Sequence, residues 1–477
     1  MEYEPVIGLE VHVQLNTESK IFCGCSTKFG SDSNTQTCPV CLGLPGVLPV
    51  LNEEVLKKGV LAGLAIHAKI ASYSKFDRKN YFYPDLPKAY QISQYDKPIC
   101  EDGYIEIPVK NGLKKIGIKR LHLEEDAGKS IHSETPGKNF SFVDLNRTGV
   151  PLAEIVSEPE IGSGDEAYEY LQKIKTIMKY IDVSDVNMEE GSLRCDVNVS
   201  VREKGAVKFG EKVEIKNLNS FKSVKASINF EIERQIRMIE SGEKIIQETR
   251  LWDADSNETY SMRSKEDAHD YRYFPDPDLA PIILSPEYIE KIKNMLPELP
   301  DAKFRRFIED YSLPEYDSSV LTSVKQLADY FEETVKLGAN PKKASNWIMS
   351  ELLARITSPE EIKSFKASPG MLAKLLALIE DGTISGKIAK TVFEDMTATG
   401  KDPEQIIGDK GLKQVSNADE IDSMIDAVLK NNQKSVDDFK SGKENAFKFL
   451  VGQVMKESKG KANPKLVNDL LLKKISG

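Results

Sequence analysis

The stretch IGLEVHVQL, residues 7–15, alternates apolar with polar side chains: Leu9, Val11, Val13 and Leu15 against Glu10, His12 and Gln14. In an extended strand successive side chains point to opposite faces, so this spacing predicts a strand with one face in a core and the other polar. The pattern recurs downstream. In GSLRCDVNVSVR (191–202), Leu193, Cys195, Val197, Val199 and Val201 oppose Arg194, Asp196, Asn198 and Ser200; in KVEIKNL (212–218), Glu214 and Lys216 oppose Val213 and Ile215. KKIGIKRLHLEE (114–125) is a further strand-like run. Loops rich in Gly, Pro, Asn and aromatics separate these runs, which predicts an α+β fold beginning with a mostly antiparallel sheet.

Helical spacing interrupts the strands at Asp165–Tyr180, through Tyr168, Leu171, Ile174 and Met178, and again from about Val224 to Ser241. Near Ser285-Pro286 the texture changes. PEYIEKIKNML (286–296), DAKFRRFIEDY (301–311) and KASNWIMSELLARI (343–356) are all helical in period, and Pro286 suits a first helical turn. A second change lies at Asp402-Pro403, before the short helices AFKFLVGQVMKES (446–458) and PKLVNDLLLKKI (464–475). In the last, Asn463 is the expected N-cap, and Leu466, Val467, Leu470 and Leu471 form one apolar stripe. The expected division is a first domain over 1–293, a helical domain over 294–405 and a small helical tail domain over 406–477.

Across 477 residues, 40% are apolar and 29% charged, and the mean hydropathy is −0.39, the composition of a globular chain in water. No run of about 18 apolar residues occurs, and the N-terminal stretch lacks the basic-then-apolar pattern of a secretory signal, so a cytoplasmic location is expected and no membrane contact. The net charge of −10 argues against non-specific coating of nucleic acid. That average hides an asymmetry: Lys430–Gly477 holds eleven lysines against five acids, a local +6.

Of the six cysteines, four form Cys23-x-Cys25 and Cys38-x-x-Cys41. Two close thiolate pairs can close a tetrahedron around Zn2+; with four sulfur ligands no coordination position stays open, so such a zinc is structural. The polar strand faces point elsewhere. Their Glu, His, Asp and Asn side chains are able together to ligate a cation or orient a substrate, whereas a merely solvated face tends to carry Lys, Glu and Thr. LHLEEDAGKS (121–130) adds Glu124, Glu125 and Asp126 beside Gly128 and Lys129. It is not a P-loop, because the required first glycine is Leu123. Gly162-Ser163-Gly164, followed by Asp165 and Glu166, opens a helix with acids and reads as a cap, not a dinucleotide fingerprint. Any ATP site must therefore be built differently, with acids holding Mg2+ against the phosphates and basic groups neutralising charge. Glu10, His12 and Glu125 are the candidates for the metal, with Glu124, Asp126, Arg194, Asp196 and Lys216 as candidate contacts around the nucleotide.

KFDRKNYFYPDLPKAYQISQYD (75–96) interleaves Lys75, Arg78, Lys79 and Lys88 with Phe76, Tyr81, Phe82, Tyr83, Tyr90 and Tyr95. This suits a nucleotide or a single-stranded RNA end, and equally a loop that docks its rings into a core. Tyr260–Asp278 repeats the mixture, with Arg263, His269 and Arg272. No Cys-His or Ser-His-Asp set stands out for amide hydrolysis. A reaction that needs ammonia would have to receive it from another protein.

IGLEVHVQL, the 75–96 segment, HLEEDAGKS, DLNRTGVPLAEIVSEPE (144–160), GSLRCDVNVSVR, EIKNLNSF (214–221) and YRYFPDPDL (271–279) together resemble the B subunit of the aspartyl/glutamyl-tRNA amidotransferases, in order from residue 7 to about 279. The resemblance implies a cradle domain that uses ATP and Mg2+ to phosphorylate the side-chain carboxylate of Glu-tRNA(Gln) or Asp-tRNA(Asn). It also implies a heterotrimer: an amidase, the A subunit, releases ammonia from glutamine into a channel, and the small C subunit wraps both. By the same resemblance, Glu10, His12 and Glu125 are metal positions, Lys79 and Lys88 lie beside the channel exit with catalytic duties, and the helical and tail domains bind the tRNA body. Two other readings remain, a tRNA scaffold without catalysis and a zinc hydrolase; the closed cysteine quartet weighs against the second.

Overall fold

The computed structural model describes residues 2–132, 140–264, 270–413, 418–458 and 462–476. His269 lies outside these, and the Arg263 side chain likewise. The chain divides into two compact units, Met1–Leu299 and Pro300–Gly477.

The first unit is built on one nine-stranded sheet. Its strands, with those of a smaller sheet, are β1 (Tyr3–Gln14), β2 (Lys69–Ile70), β3 (Asp77–Asn80), β4 (Tyr90–Ser93), β5 (Cys100–Val109), β6 (Gly112–Glu125), β7 (Pro151–Ser157), β8 (Leu193–Glu203), β9 (Val213–Lys216), β10 (Glu248–Asp253), β11 (Glu258–Ser264) and β12 (Phe274–Pro275). The large sheet runs β11-β10-β9-β8-β1-β7-β6-β5-β2, antiparallel except between β9 and β10. The expected α+β class with a mostly antiparallel first part holds, and helices make up the remainder.

The alternation of IGLEVHVQL becomes the two faces of β1, the central strand. Leu9, Val11 and Val13 are buried with Leu193, Cys195, Val197 and Val199 of β8, Leu121 and Leu123 of β6, and Ala153 and Ile155 of β7. Helices α1 (Glu53–Ala65), α2 (Gly164–Tyr180) and α3 (Phe221–Ser241) contribute Val60, Ile174, Ile177, Val224 and Ile228 to the same core. Each such side chain stabilises the fold by about 1.5–3 kcal/mol, which offsets the cost of a polar opposite face. At the start of α2, the Ser163 side chain accepts from Glu166 N, and Glu166 returns by accepting from Gly162 N at 2.7 Å. That reciprocal cap explains the glycine-rich run without a nucleotide.

The smaller sheet, β12-β3-β4, pairs Phe274 with Arg78 and Lys79 with Gln91. The two aromatic, basic segments of the sequence thus meet as neighbouring strands. The helix Pro286–Lys293 closes the first unit, with Pro286 in its first turn as expected and Ser285 as its N-cap.

In the second unit, one apolar cluster runs from Phe307 to Ile407 and another from Ile421 to Ile475. The helix Pro403–Lys410 crosses residue 405 and gives Ile406 and Ile407 to the first cluster. KASNWIMSELLARI is not one helix: Pro341–Trp347 is α-helical, Ile348–Leu352 a π-turn and Leu353–Arg355 a 3-10 turn. Asn463 caps the last helix, Pro464–Ser476, accepting from Lys465 N and Leu466 N at 3.0 and 3.3 Å, and Val467 and Leu471 are buried.

Candidate active site and cysteine cluster

Register brings the polar residues of four strands side by side. On β1, His12 stands opposite Glu154 of β7 on one side and Arg194 of β8 on the other, while Glu10 stands opposite Asp196. Glu154 in turn faces His122 of β6. Glu10, His12, Arg120, His122, Glu124, Glu154, Asp196, Glu214 and Lys216 line an open cavity of about 870 Å3, solvent at its mouth included, walled by Lys79, Tyr95, Tyr271 and Tyr273.

At its floor His12, Glu124 and Glu154 each offer a ligand atom within 4.8 Å of the others. His12 Nδ1 lies 3.5 Å from Glu124 and 3.9 Å from Glu154, and His122 Nε2 lies 3.1 Å from Glu154 and 3.6 Å from Glu124. Burial disfavours charge on each of these groups, yet their mutual attraction wins. It lifts His122 to about 9, drops Glu154 to about 2, raises His12 and holds Glu124 well below the carboxylate range. Glu10 differs: burial, followed by the charge of Glu154, raises it, although Asn198 Nδ2 donates to it at 2.9 Å. One imidazole and two carboxylates at one point suit a divalent cation, so the residues present fit a Mg2+ or Mn2+ ion.

Glu125 is not part of this set. Consecutive strand residues face opposite ways, and Glu124 takes the His12 side. Glu125 turns to a second, smaller cavity, where Lys88 pairs with it and Ile92 N donates to it at 2.8 Å. Lys88 and Glu125 therefore share one cavity, and Lys79 and Glu124 the other. Lys79 stands 4.8 Å from the Tyr271 ring; burial works against its charge, but Glu124 and Glu154 outweigh it.

Of the remaining candidates, Lys216 binds Asp196 at 2.7 Å and Glu214 at 3.1 Å within the first cavity. Asp126 is held by Arg194 Nη2 at 2.7 Å and Gln14 Nε2 at 3.1 Å, which makes the pair a brace beside the floor. Glu154 and His122 were absent from the sequence-based set. Glu154 is the lone acid in the apolar run PLAEIVS, and His122 shares parity with Glu124; both signals were present.

Of the aromatic segment, Phe76 is buried in the core, whereas Phe82, Tyr83 and Tyr95 are exposed. Arg78 ties its strand to YRYFPDPDL through Asp276 at 2.8 Å and Asp278 at 2.9 Å. Tyr95 and Tyr273 stack with centroids 4.1 Å apart.

Cys23, Cys25, Cys38 and Cys41 gather with their sulfurs within 4.8 Å of one another. A tetrahedral zinc with bonds of about 2.3 Å requires sulfurs about 3.8 Å apart. Cys38 and Cys41 stand at 3.9 Å, so the quartet fits. The hydrogen bond with Cys23 pulls the Cys41 thiol down, helped by the fully buried Lys20, whose Nζ lies 3.7 Å from Cys41 Sγ and 2.7 Å from Gln36 O. Cys23 and Cys41 also line the Lys88–Glu125 cavity, and Gly43 presses on the Lys88 stem.

No described helix is long and apolar enough to cross a membrane. A family described as the GatB/GatE catalytic domain matches residues 5–290, and one described as the GatB domain matches 329–475. The B subunit of the aspartyl/glutamyl-tRNA(Asn/Gln) amidotransferase of Caldanaerobacter subterraneus subsp. tengcongensis is 58% identical over 477 residues, the whole of both chains. That of Thermodesulfovibrio yellowstonii is 58% identical over 474 residues, 99% of each chain. That of Carboxydothermus hydrogenoformans is 56% identical over 480, covering 100% of this chain and 99% of its own. The chain belongs to the family of aspartyl/glutamyl-tRNA amidotransferase B subunits, and so to a ligase-type enzyme complex.

Proposed function

We propose that the cavity over the polar face of the sheet activates the side-chain carboxylate of Glu-tRNA(Gln) or Asp-tRNA(Asn). The carboxylate oxygen attacks the γ-phosphorus of ATP and ADP leaves; ammonia then attacks the acyl carbon and phosphate leaves, giving the amide. The observation that carries this reading is the convergence of His12, Glu124 and Glu154 beneath Lys79. A carboxylate does not accept ammonia until one oxygen becomes a leaving group, and an acid floor with a cation above it is the equipment for phosphoryl transfer.

When bound, Mg2+ supplies neutralisation of phosphate charge. Around it, His122 Nε2 pairs with Glu154 at 3.1 Å and stands 3.6 Å from Glu124, and Lys79 meets the negative charge of both carboxylates. Glu10, Asp196 and Lys216 orient groups farther along the face. The stacked Tyr95 and Tyr273 form one aromatic wall of the cavity. The Lys88–Glu125 cavity, on the reverse of the Glu124 position, is the natural side for ammonia to arrive. Ammonia comes from an amidase, the A subunit, while the small C subunit makes up the heterotrimer, and the basic tail over 406–477 holds the tRNA body. Zinc in the cysteine quartet is structural and takes no part in the chemistry.

The test is co-expression with the amidase and the small third partner, followed by ATP- and glutamine-dependent amide formation on both misacylated tRNAs. Glu124→Gln should abolish product while tRNA affinity stays within about threefold, since the charge lost sits in the floor and not in the phosphate-contacting tail. Full activity in Glu124→Gln would mean that the face is only a scaffold.

A further inference from the structure

The cations of the first unit are mostly paired with acids. Lys88 holds Glu125, Arg194 holds Asp126, Lys216 holds Asp196 and Glu214, and Arg78 holds Asp276 and Asp278. Arg120 is an exception. It lies on β6 two residues before His122 and four before Glu124, so all three side chains share one face, and it lines the same 870 Å3 cavity. Among the described residues no carboxylate stands within ion-pair distance of its guanidinium. Its Nε is buried without an acceptor.

A buried N–H left without a partner costs about 1–3 kcal/mol, and a guanidinium cannot shed its charge to avoid that cost. The half-buried guanidinium, with Glu101 opposite it on β5 but outside ion-pair distance, is thus open to an anion that enters the cavity. Glu124 and Glu154 do not take that place, because His12 and His122 already engage them. Two residues of strand separate Arg120 from His122 by about 7 Å, so the arginine stands beyond the metal-ligating floor rather than over it. That offset lets one ligand be gripped at two places. The guanidinium fork is also the side-chain geometry best matched to two oxygens of a phosphate or carboxylate.

We infer that Arg120 is a substrate-binding catalytic residue that takes the oxyanion of the reacting group, either the phosphate oxygens of the nucleotide or the side-chain carboxylate of the aminoacyl-tRNA. The assignment rests on the reading of this cavity as the phosphoryl-transfer site. Lys79, the other cation in the cavity without an acid at ion-pair distance among the described residues, supplies charge from the aromatic wall, while Arg120 supplies direction from the sheet.

The experiment uses the assembled heterotrimer carrying Arg120→Gln, Arg120→Lys or Arg120→Ala. Steady-state kinetics are run separately against ATP and Glu-tRNA, and Mn2+ affinity is measured by electron paramagnetic resonance. Arg120→Gln should lower kcat/KM about 100-fold or more, the usual loss when one preorganised charge donor is removed. Mn2+ affinity should stay within about twofold, because Arg120 is neither among the ligand-offering residues nor bonded to one of them. Arg120→Lys should recover part of the loss, and free guanidinium should raise the activity of Arg120→Ala. A defect confined to ATP assigns the phosphate, and one confined to Glu-tRNA assigns the carboxylate. Activity within about threefold of the parent against both substrates overturns the inference, as does a loss that tracks Mn2+ affinity or melting temperature and is not rescued. Failure of the underlying reading shows elsewhere: His12→Ala and Glu124→Gln would then bind Mn2+ and turn over ATP normally, whatever Arg120 does.

Discussion

Glu124 and Glu125 are neighbours in the chain and belong to different cavities, one with His12 and Glu154, the other with Lys88. The sequence shows three acids in a row but not which of them a strand turns toward the histidine, and the register of β6 against β7, and of β7 against β1, settles that. Glu124→Gln should therefore weaken Mn2+ binding by tenfold or more, about 1.4 kcal/mol, and Glu125→Gln should leave it within about twofold. Titration of both variants checks this, and equal losses would return Glu125 to the floor. The histidine and acid network also sets a pH signature in the metal-free chain. His122, raised from 6.5 to about 9, adds stability that is complete below about 6.5 and lost as pH rises through about 9. Glu154, lowered from 4.5 to about 2, adds stability that is complete above about 4.5 and lost as pH falls to about 2. Melting in the presence of a chelator should thus fall between pH 6.5 and 9, and His122→Gln should flatten that slope; identical slopes would refute the assignment.

Among the elements, the long strands and capped helices were legible because their signals are local. Alternation over Leu9–Leu15 and Leu193–Val201 marked β1 and β8, and Ser285-Pro286 marked a helix start. The short strands Asp77–Asn80 and Tyr90–Ser93 were not, since they exist by pairing with each other and with Phe274–Pro275, almost 200 residues away. The π-turn at Ile348–Leu352 keeps helical apolar spacing and so reads as ordinary helix. The cysteine loop was legible from spacing alone, but its grip on the second cavity was not. Gly43 has φ +67°, and a Cβ there would lie 2.2 Å from Lys88 Cγ. Gly43→Ala should destabilise the chain by about 1–3 kcal/mol and shift Lys88 away from Glu125, read as a lower melting temperature together with slower glutamine-dependent amidation. A parent-like melt and rate would show that the loop yields freely. On the proposal that the quartet holds zinc, a zinc chelator should act on the same loop and lower the melting temperature, and Mn2+ added back should still bind at the floor.

At the scale of the whole chain, an acidic protein of net charge −10 keeps its basic surplus at one end, a +6 stretch from Lys430 onward. The apolar cluster Ile421–Ile475 has its own core, while Ile406, Ile407 and the packed Leu412 belong to the preceding cluster. Truncation after Lys413 therefore removes one core and spares the other. It should raise KM for tRNA more than it lowers ATP turnover, and the salt dependence of tRNA binding should fall with it; unchanged tRNA affinity would place the phosphate contacts elsewhere. The central claim is that the polar sheet face carries out phosphoryl transfer to the tRNA-bound carboxylate. Its most direct test is ADP formation by the assembled complex given ATP and Glu-tRNA, with no glutamine or ammonia supplied. The account predicts Glu-tRNA-dependent ADP with the parent chain and none above background with His12→Ala, tRNA binding being equal in both. Equal ADP formation by His12→Ala would contradict it.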